Sequence, residues 1–585
     1  MRGKSINQLD KKVTETDKKP ALKAGDVIPS PSSPSRRISE ISGSVLNQSS
    51  GKKLTRITGA TESSSHSIDQ EELEQFALHL NEISQRDKDL KGREAVTYEN
   101  FFASCQDGLL LSKLINDSAP ETIDERVLNV GKSLNPFKMT ENINVAINSA
   151  KAIGCSVVNI GPVDILEGRE HLILGLVWQV IKVGLLAKIS LQFHPELTRL
   201  LEDGETLEEF LKLPADAILL RWFNFQLKRA NFKRKVNNFG EDLVDSECYL
   251  HLLNILSPEN CSKKAALNET NLEARAEAVV LNAQNIGCDK YVSVGSILKA
   301  NHKLNLAFVA NLFNHYPGLE QLSAEEMAEL DEKMFSSEGD RESRTFALWM
   351  NSLGVDPFIN SLGDDLRDGR VLLQVIDYIK PGTVNWKRAH MKPPTASTKK
   401  LTRFQALENT NTVVELCKNF KFSLVGIQGA DVTDGVMKLT LALVWQLMRQ
   451  HIIETLRGLS SKNGREINDE DMINWSNEMI KKHRPTSPVD LIKSFKDSSL
   501  KTGRYLLELL AAVNPLIINF ELITPGKTEE DAKSNAKYAI SVARKMGASI
   551  FLLPEDILNV QPKMLLTFIG TIMAIHLKST ENNKE

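Results

Sequence analysis

Leu439-Thr440-Leu441-Ala442-Leu443-Val444-Trp445-Gln446-Leu447-Met448 is apolar on nearly every side. A helix built from it has almost no polar face to give to water, so it belongs at the centre of a domain. Segments of the same character recur at Leu172 to Val183, Leu304 to Phe313 and Met564 to Ile575, each near the end of a block of roughly 110 residues. In two copies the match is literal, because Leu176-Val177-Trp178-Gln179 and Leu443-Val444-Trp445-Gln446 read identically. Four buried helices at a regular spacing predict four small helical domains, an all-α chain with internal repetition.

The other end of each block agrees. A helix start reads Trp222-Phe223-Asn224, Trp349-Met350-Asn351 and Trp475-Ser476-Asn477, with His79-Leu80-Asn81 in the first block. A turn and an apolar run follow at Asp107-Gly108, Asp245-Ser246, Asp368-Gly369 and Thr502-Gly503. Blocks one and three keep Asp-Gly and also share Glu141-Asn142 and Glu408-Asn409, where blocks two and four have Ala274-Arg275 and Ser534-Asn535. The repeat is a pair of pairs.

This pattern resembles the calponin-homology domain, and the pairing resembles the tandem actin-binding domain of the spectrin and alpha-actinin type. The first signature of that domain stands as Glu342, Thr345-Phe346, Trp349 and Asn351; the second as Ile427, Gly429, Asp431, Leu441, Leu443, Val444 and Trp445. Two such pairs in one chain resemble the fimbrin or plastin family from about Ser67 to Leu577. Block one departs from the signature at Gln75 and His79. The domains expected are 67–188, 215–318, 341–454 and 468–578, with a tail over 1–66 and an acidic linker over 319–340.

The chain has 585 residues, 41% of them hydrophobic, and a formal net charge of −3. That length predicts several domains with buried cores. The near-neutral sum hides a division, for residues 1–66 hold twelve Lys or Arg against six Asp or Glu and no aromatic. Such a segment lacks the apolar surface to offset ordering entropy and is expected to be disordered. Within it Arg36-Arg37-Ile38-Ser39 sets two arginines before a serine, which makes Ser39 the candidate phosphorylation site. No signal-peptide core is seen, and the apolar runs fall short of the ~20 residues of a membrane span. The six cysteines form no Cys-x-x-Cys pair and are expected to be small core residues in a reducing compartment.

No phosphate loop, His-Glu-x-x-His or Gly-x-Ser-x-Gly occurs, so no catalytic residue, cofactor or metal is expected. An EF-hand needs alternating oxygen ligands, a glycine at position six and a glutamate at twelve. The nearest approach, Asp87, Asp89 and Gly92, has Lys91 in place of the third ligand and Tyr98 at the twelfth position. The calcium-binding headpiece carried by fimbrin relatives is therefore expected to be missing and the function to be calcium-independent.

Surface charge supplies the binding candidates. Arg221, Lys228, Arg229, Lys233, Arg234 and Lys235 sit in a window, Arg221 to Gly240, without a single Asp or Glu. Lys387, Arg388, Lys399, Lys400 and Arg403 form a second basic group, and Lys481, Lys482 and Arg484 a third. An acidic partner would be attracted to such patches, which raise association rates. The family resemblance implies that the partner is the actin filament, met by Glu72 to Ile83, Leu134 to Leu186 and Leu219 to Lys235 in one half, and by Glu342 to Leu353, Phe404 to His451 and Asp471 to His483 in the other. It implies a cytoplasmic cross-linker of actin filaments into tight bundles; a monomer is expected, without membrane binding, and nucleic acid is not expected as a partner because no recognition motif accompanies the basic patch and the net charge is negative. The alternative reading is a cytoskeletal scaffold or a microtubule-associated calponin-homology protein.

Overall fold

A computed structural model describes residues 68–131, 133–334, 340–392, 401–422, 424, 426–459 and 467–582. The tail over 1–66, with Ser39, lies outside them. Among the described residues the chain is helical without a β-strand. Numbering the helices of ten or more residues, domain one contains α1 (Gln70–Arg86), α2 (Leu109–Ser118), α3 (Pro136–Ala152) and α4 (Glu170–Ala187). Domain two contains α5 (Ala215–Arg229), α6 (Glu247–Leu256), α7 (Leu272–Asn285) and α8 (His302–His315). After α9 (Ala324–Met334), domain three contains α10 (Asp340–Ser352), α11 (Arg370–Ile379), α12 (Arg403–Asn419) and α13 (Met437–Leu459). Domain four contains α14 (Asp469–His483), α15 (Arg504–Val513), α16 (Glu529–Lys545) and α17 (Pro562–Asn582).

The four apolar segments are the central helices α4, α8, α13 and α17, and their apolar side chains form the cores. Helix α4 has the length and composition of a membrane span, yet Ile173, Leu174, Leu176, Val177, Val180 and Ile181 are buried in domain one. All six cysteines are buried and unbridged, and burial pushes their thiols up to about 11 or 12. In the first block, α1 forms without the signature tryptophan. Phe76 stacks on Trp178 with ring centroids 5.8 Å apart, while His79 turns to Asp117 at 3.5 Å.

The asparagine of the first signature does the same work four times. Its side-chain amide donates to, and its oxygen accepts from, the backbone of a residue after the helix: Asn81 with Val96, Asn224 with Val236, Asn351 with Ile359 and Asn477 with Ile492, all at 2.7–3.2 Å. Buried loop backbone needs such partners. A second bracket sets the register of the third helix, where Asn142, Asn409 and Asn535 clasp Asn129, His390 and Thr524.

The Asp-Gly turn has a steric cause. Gly108, Gly369 and Gly503 precede their helices with φ of 73°, 74° and 70°. A Cβ on Gly108 would lie 2.5 Å from the backbone nitrogen of Ile143, and one on Gly369 2.8 Å from Asn409 Cβ. Only glycine meets both the left-handed conformation and the close helix approach without strain. Block two puts Ser246 there at φ 63°, with its buried hydroxyl unpartnered.

Both halves pair their domains alike. Glu72 at the start of α1 meets Lys303 of domain two at 2.7 Å, and the equivalent Glu342 of α10 meets Lys563 of domain four at 2.6 Å. The halves also join through domains one and four, where α3 packs on α16. Arg544 donates to the Thr122 carbonyl at 2.8 Å, Lys545 to the Val127 carbonyl at 2.8 Å, and Ser549 to Asn148 at 2.9 Å. Arg126 lies over the Tyr538 ring at 5.1 Å. Between the halves, the acidic segment forms α9. Arg199 holds it against the first half, binding both oxygens of Glu326 at 2.7 and 2.8 Å and the carbonyl of Glu320 at 3.4 Å.

Candidate functional site

The basic window of domain two is less free than its sequence implies, because acidic partners arrive from outside it. Arg221 on α5 reaches Glu205 at 2.5 Å and stacks over Phe210 at 5.5 Å. Arg234 pairs with Asp245 and lies 3.6 Å from Glu247. Arg229 donates to the Gly318 carbonyl and to Gln226. Lys228, Lys233 and Lys235 remain exposed, without an ion pair or hydrogen bond among the described residues.

In domain three Lys387 and Arg388 are exposed, with side chains that meet no partner among the described residues, and Arg403 is exposed but paired with Asp434 at 2.8 Å. Lys399 and Lys400 lie outside the described residues. In domain four Lys481 and Lys482 are exposed and free at the end of α14. Arg484 is turned inward, 3.0 Å from Glu508 and 4.3 Å from the Phe520 ring centroid. Among the described residues seven of the candidate cations make neither an ion pair nor a hydrogen bond, all of them lysines except Arg388, and Arg229 is bonded only to neutral acceptors and keeps its charge as well.

The first helices of the leading domains are partly covered. In α1, Glu72, Leu73, Phe76, Ala77, Leu80 and Ile83 are buried, and its first turn faces domain two. Leu78 is left on the outer side, 55% exposed.

The carboxylates nearest to a cation site, Asp87, Asp89 and Glu125, cluster within one ligand sphere. The ammonium of Lys113 stands among them at 2.8, 2.7 and 2.9 Å. Burial alone would pull this lysine down, but the three hydrogen bonds outweigh it and hold its pKa above the usual value. Lys91 takes the place of the third ligand in the sequence, and in the fold the lysine that neutralises Asp87 and Asp89 is Lys113 of α2.

A cavity of about 830 Å³ opens where domains one, three and four meet, walled in part by Val158, Trp349, Tyr378, His451, Phe551 and Lys578. Trp349 donates to His451 Nδ1 at 3.4 Å, and burial pushes the imidazole pKa down to about 4, so it is neutral near pH 7.

The calponin homology (CH) domain family matches the chain four times, over 85–185, 213–318, 340–453 and 466–578. The chain is 52% identical over 531 residues to the fimbrin of Schizosaccharomyces pombe, spanning 89% of this chain and 85% of that protein. It is 42% identical over 531 residues to plastin-3 of Homo sapiens, spanning 89% and 82%. Among solved structures it is similar to the actin-crosslinking core of Schizosaccharomyces pombe fimbrin, with a TM-score of 0.74 and 49% identity over 87% of this chain and all of that one.

Proposed function

The chain belongs to the fimbrin and plastin family, and from that membership we infer that it binds actin filaments and cross-links them into tight bundles, one filament to each half. The observation that carries bivalence is the repeated domain latch, Glu72 with Lys303 and Glu342 with Lys563. Each half is a complete pair of CH domains, so one chain suffices for one cross-link and no self-association is required. The work is binding at the actin cytoskeleton in the cytoplasm, with no chemical step.

Lys228, Lys233, Lys235, Lys387, Arg388, Lys481 and Lys482 are the groups assigned to attract the acidic filament. Their support is exposure together with the lack of an internal counter-ion. The ion-paired Arg221, Arg234, Arg403 and Arg484 are assigned chiefly to holding the fold. Calcium is assigned no direct control, a reading supported by the Lys113 ammonium among the three carboxylates best placed to bind a cation. A domain standing alone would suit the scaffold alternative, and the paired domains argue against it.

Sedimentation tests this reading. The intact chain is expected to pellet with filaments at high speed and to bring bundles down at low speed, equally with chelator and with micromolar calcium. High-speed pelleting without low-speed bundles would defeat bivalence, and bundles lost on adding calcium would defeat the calcium assignment alone.

A further inference from the structure

Among the described residues Phe137 and Phe404 do not pack against the core. They are 68% and 70% exposed, each the second residue of its helix, α3 and α12. Their equivalence rests on structure as well as sequence, since each lies five residues ahead of the asparagine that brackets the preceding loop, Asn142 or Asn409. Around them the two turns have diverged. Asn135-Pro136-Phe137-Lys138-Met139-Thr140 and Thr402-Arg403-Phe404-Gln405-Ala406-Leu407 share the phenylalanine and no other residue. At the same offset the trailing domains carry Thr270 and Glu530.

A lone exposed apolar side chain needs no explanation. The same ring kept twice, in the leading domain of each half and at positions that packing does not constrain, does need one. Helix propensity gives no reason, because phenylalanine is a middling helix former. Each ring also has apolar and charged company nearby in the chain. Val130, in the loop before α3, is 49% exposed, and Lys138 is exposed. The Arg403 pair with Asp434 ties the start of α12 to the turn before α13, where Val436 and Met437 are 42% and 37% exposed. Aromatic anchors ringed by polar groups are the usual composition of an interface hot spot.

We propose that Phe137 and Phe404 are the apolar anchors by which the leading domain of each half seats on a subunit of the actin filament. The proposal rests on the actin cross-linking reading above. Duplication selects the occupant, because the filament is the partner that both halves share, whereas a ligand of one half alone would not require the ring in both. The lysines then govern approach and the rings govern residence, since charge acts mainly on association and desolvated contacts on dissociation.

The test uses the full chain with Phe137→Ala, Phe404→Ala, both together, and Leu516→Ala as control, Leu516 being 96% exposed in domain four without an apolar counterpart at Glu121, Glu259 or Gly382. Thermal unfolding shows that each variant is folded. Either single phenylalanine variant is expected to lose low-speed bundles while still pelleting at high speed through its other half. The double variant is expected to bind filaments at least tenfold more weakly at both low and high salt, and Leu516→Ala to behave as the parent. A folded double variant that bundles like the parent overturns the proposal and leaves the family function standing. If the double variant loses self-association by sedimentation equilibrium but keeps filament binding, the occupant is a second copy and the proposal is likewise wrong. A parent chain that fails to pellet with filaments would instead remove the functional reading beneath it.

Discussion

In the first half the domain latch closes over Glu72, whose side chain is only 9% exposed, whereas in the second half its counterpart Glu342 is 34% exposed. The free cations also differ. The first half gathers Lys228, Lys233 and Lys235 into eight residues of its trailing domain, while the second spreads Lys387, Arg388, Lys481 and Lys482 over both domains. Besides the latch pair itself, what the halves hold in common is geometric: the asparagine brackets, the glycine turn of the leading domain, and the outward phenylalanine. The halves share their backbone positioning and differ in their free surface charge, so they are expected to fold by one set of rules and to bind with different salt dependence.

The severest way to break the comparison is Gly369→Val. A Cβ there meets Asn409 Cβ at 2.8 Å, and the left-handed conformation adds its own strain. The expected loss is about 3–5 kcal/mol, read as early unfolding of the second half in a thermal scan; a shift of less than a degree would show the turn to be adaptable.

His451 sharpens the comparison, since the matching position in the first half is Gly184. Its folded pKa near 4 lies below the usual histidine value of about 6.5. Between those values the unfolded chain binds more protons, so stability is fully present above pH 6.5 and falls as the pH drops toward 4. Because the ring borders the cavity, the loss is put at about 2 kcal/mol. Denaturant midpoints from pH 7 to 4.5 are expected to show it in the parent and to flatten in His451→Gln.

Lys228→Glu, Lys233→Glu and Lys235→Glu together are expected to weaken filament binding by the first half roughly tenfold at low salt and much less at high salt. Lys481→Glu with Lys482→Glu is expected to do less, having fewer charges to reverse. Equal effects from the two sets, measured by co-sedimentation across a salt series, would erase the claimed asymmetry.

The smallest effect runs the other way. Ser246→Gly relieves a left-handed serine with a buried, unpartnered hydroxyl, and is expected to stabilise the first half by about 1 kcal/mol. A lower melting temperature in this variant would mean that the hydroxyl has a use the geometry does not reveal.

Much of this was legible in the chain itself. Apolar segments such as Leu439 to Met448 announced buried central helices, and the paired landmarks announced two halves, because burial and backbone geometry act at short range in sequence. The charge map was legible only in part. Arg221 and Arg234 looked free within an acid-less window, yet Glu205, Asp245 and Glu247 close on them across loops. The hydrogen bonds of the seam between domains one and four were not legible, since Arg544, Ser549 and Asn148 meet across roughly 400 residues of chain. Phe137 and Phe404 were readable in principle, five residues before Asn142 and Asn409, but exposure is what gives them meaning.

That seam decides how a bundle carries load. Tension between two filaments enters through one half and leaves through the other, and besides the backbone through α9 the halves are connected where α3 packs both on α16 and on α10 of domain three. A lateral contact between folded domains resists displacement over ångströms, whereas a connecting strand bears force only once it is taut. The stiffer connection between the halves is therefore the set of packed faces, among them the one where Arg544 meets Thr122.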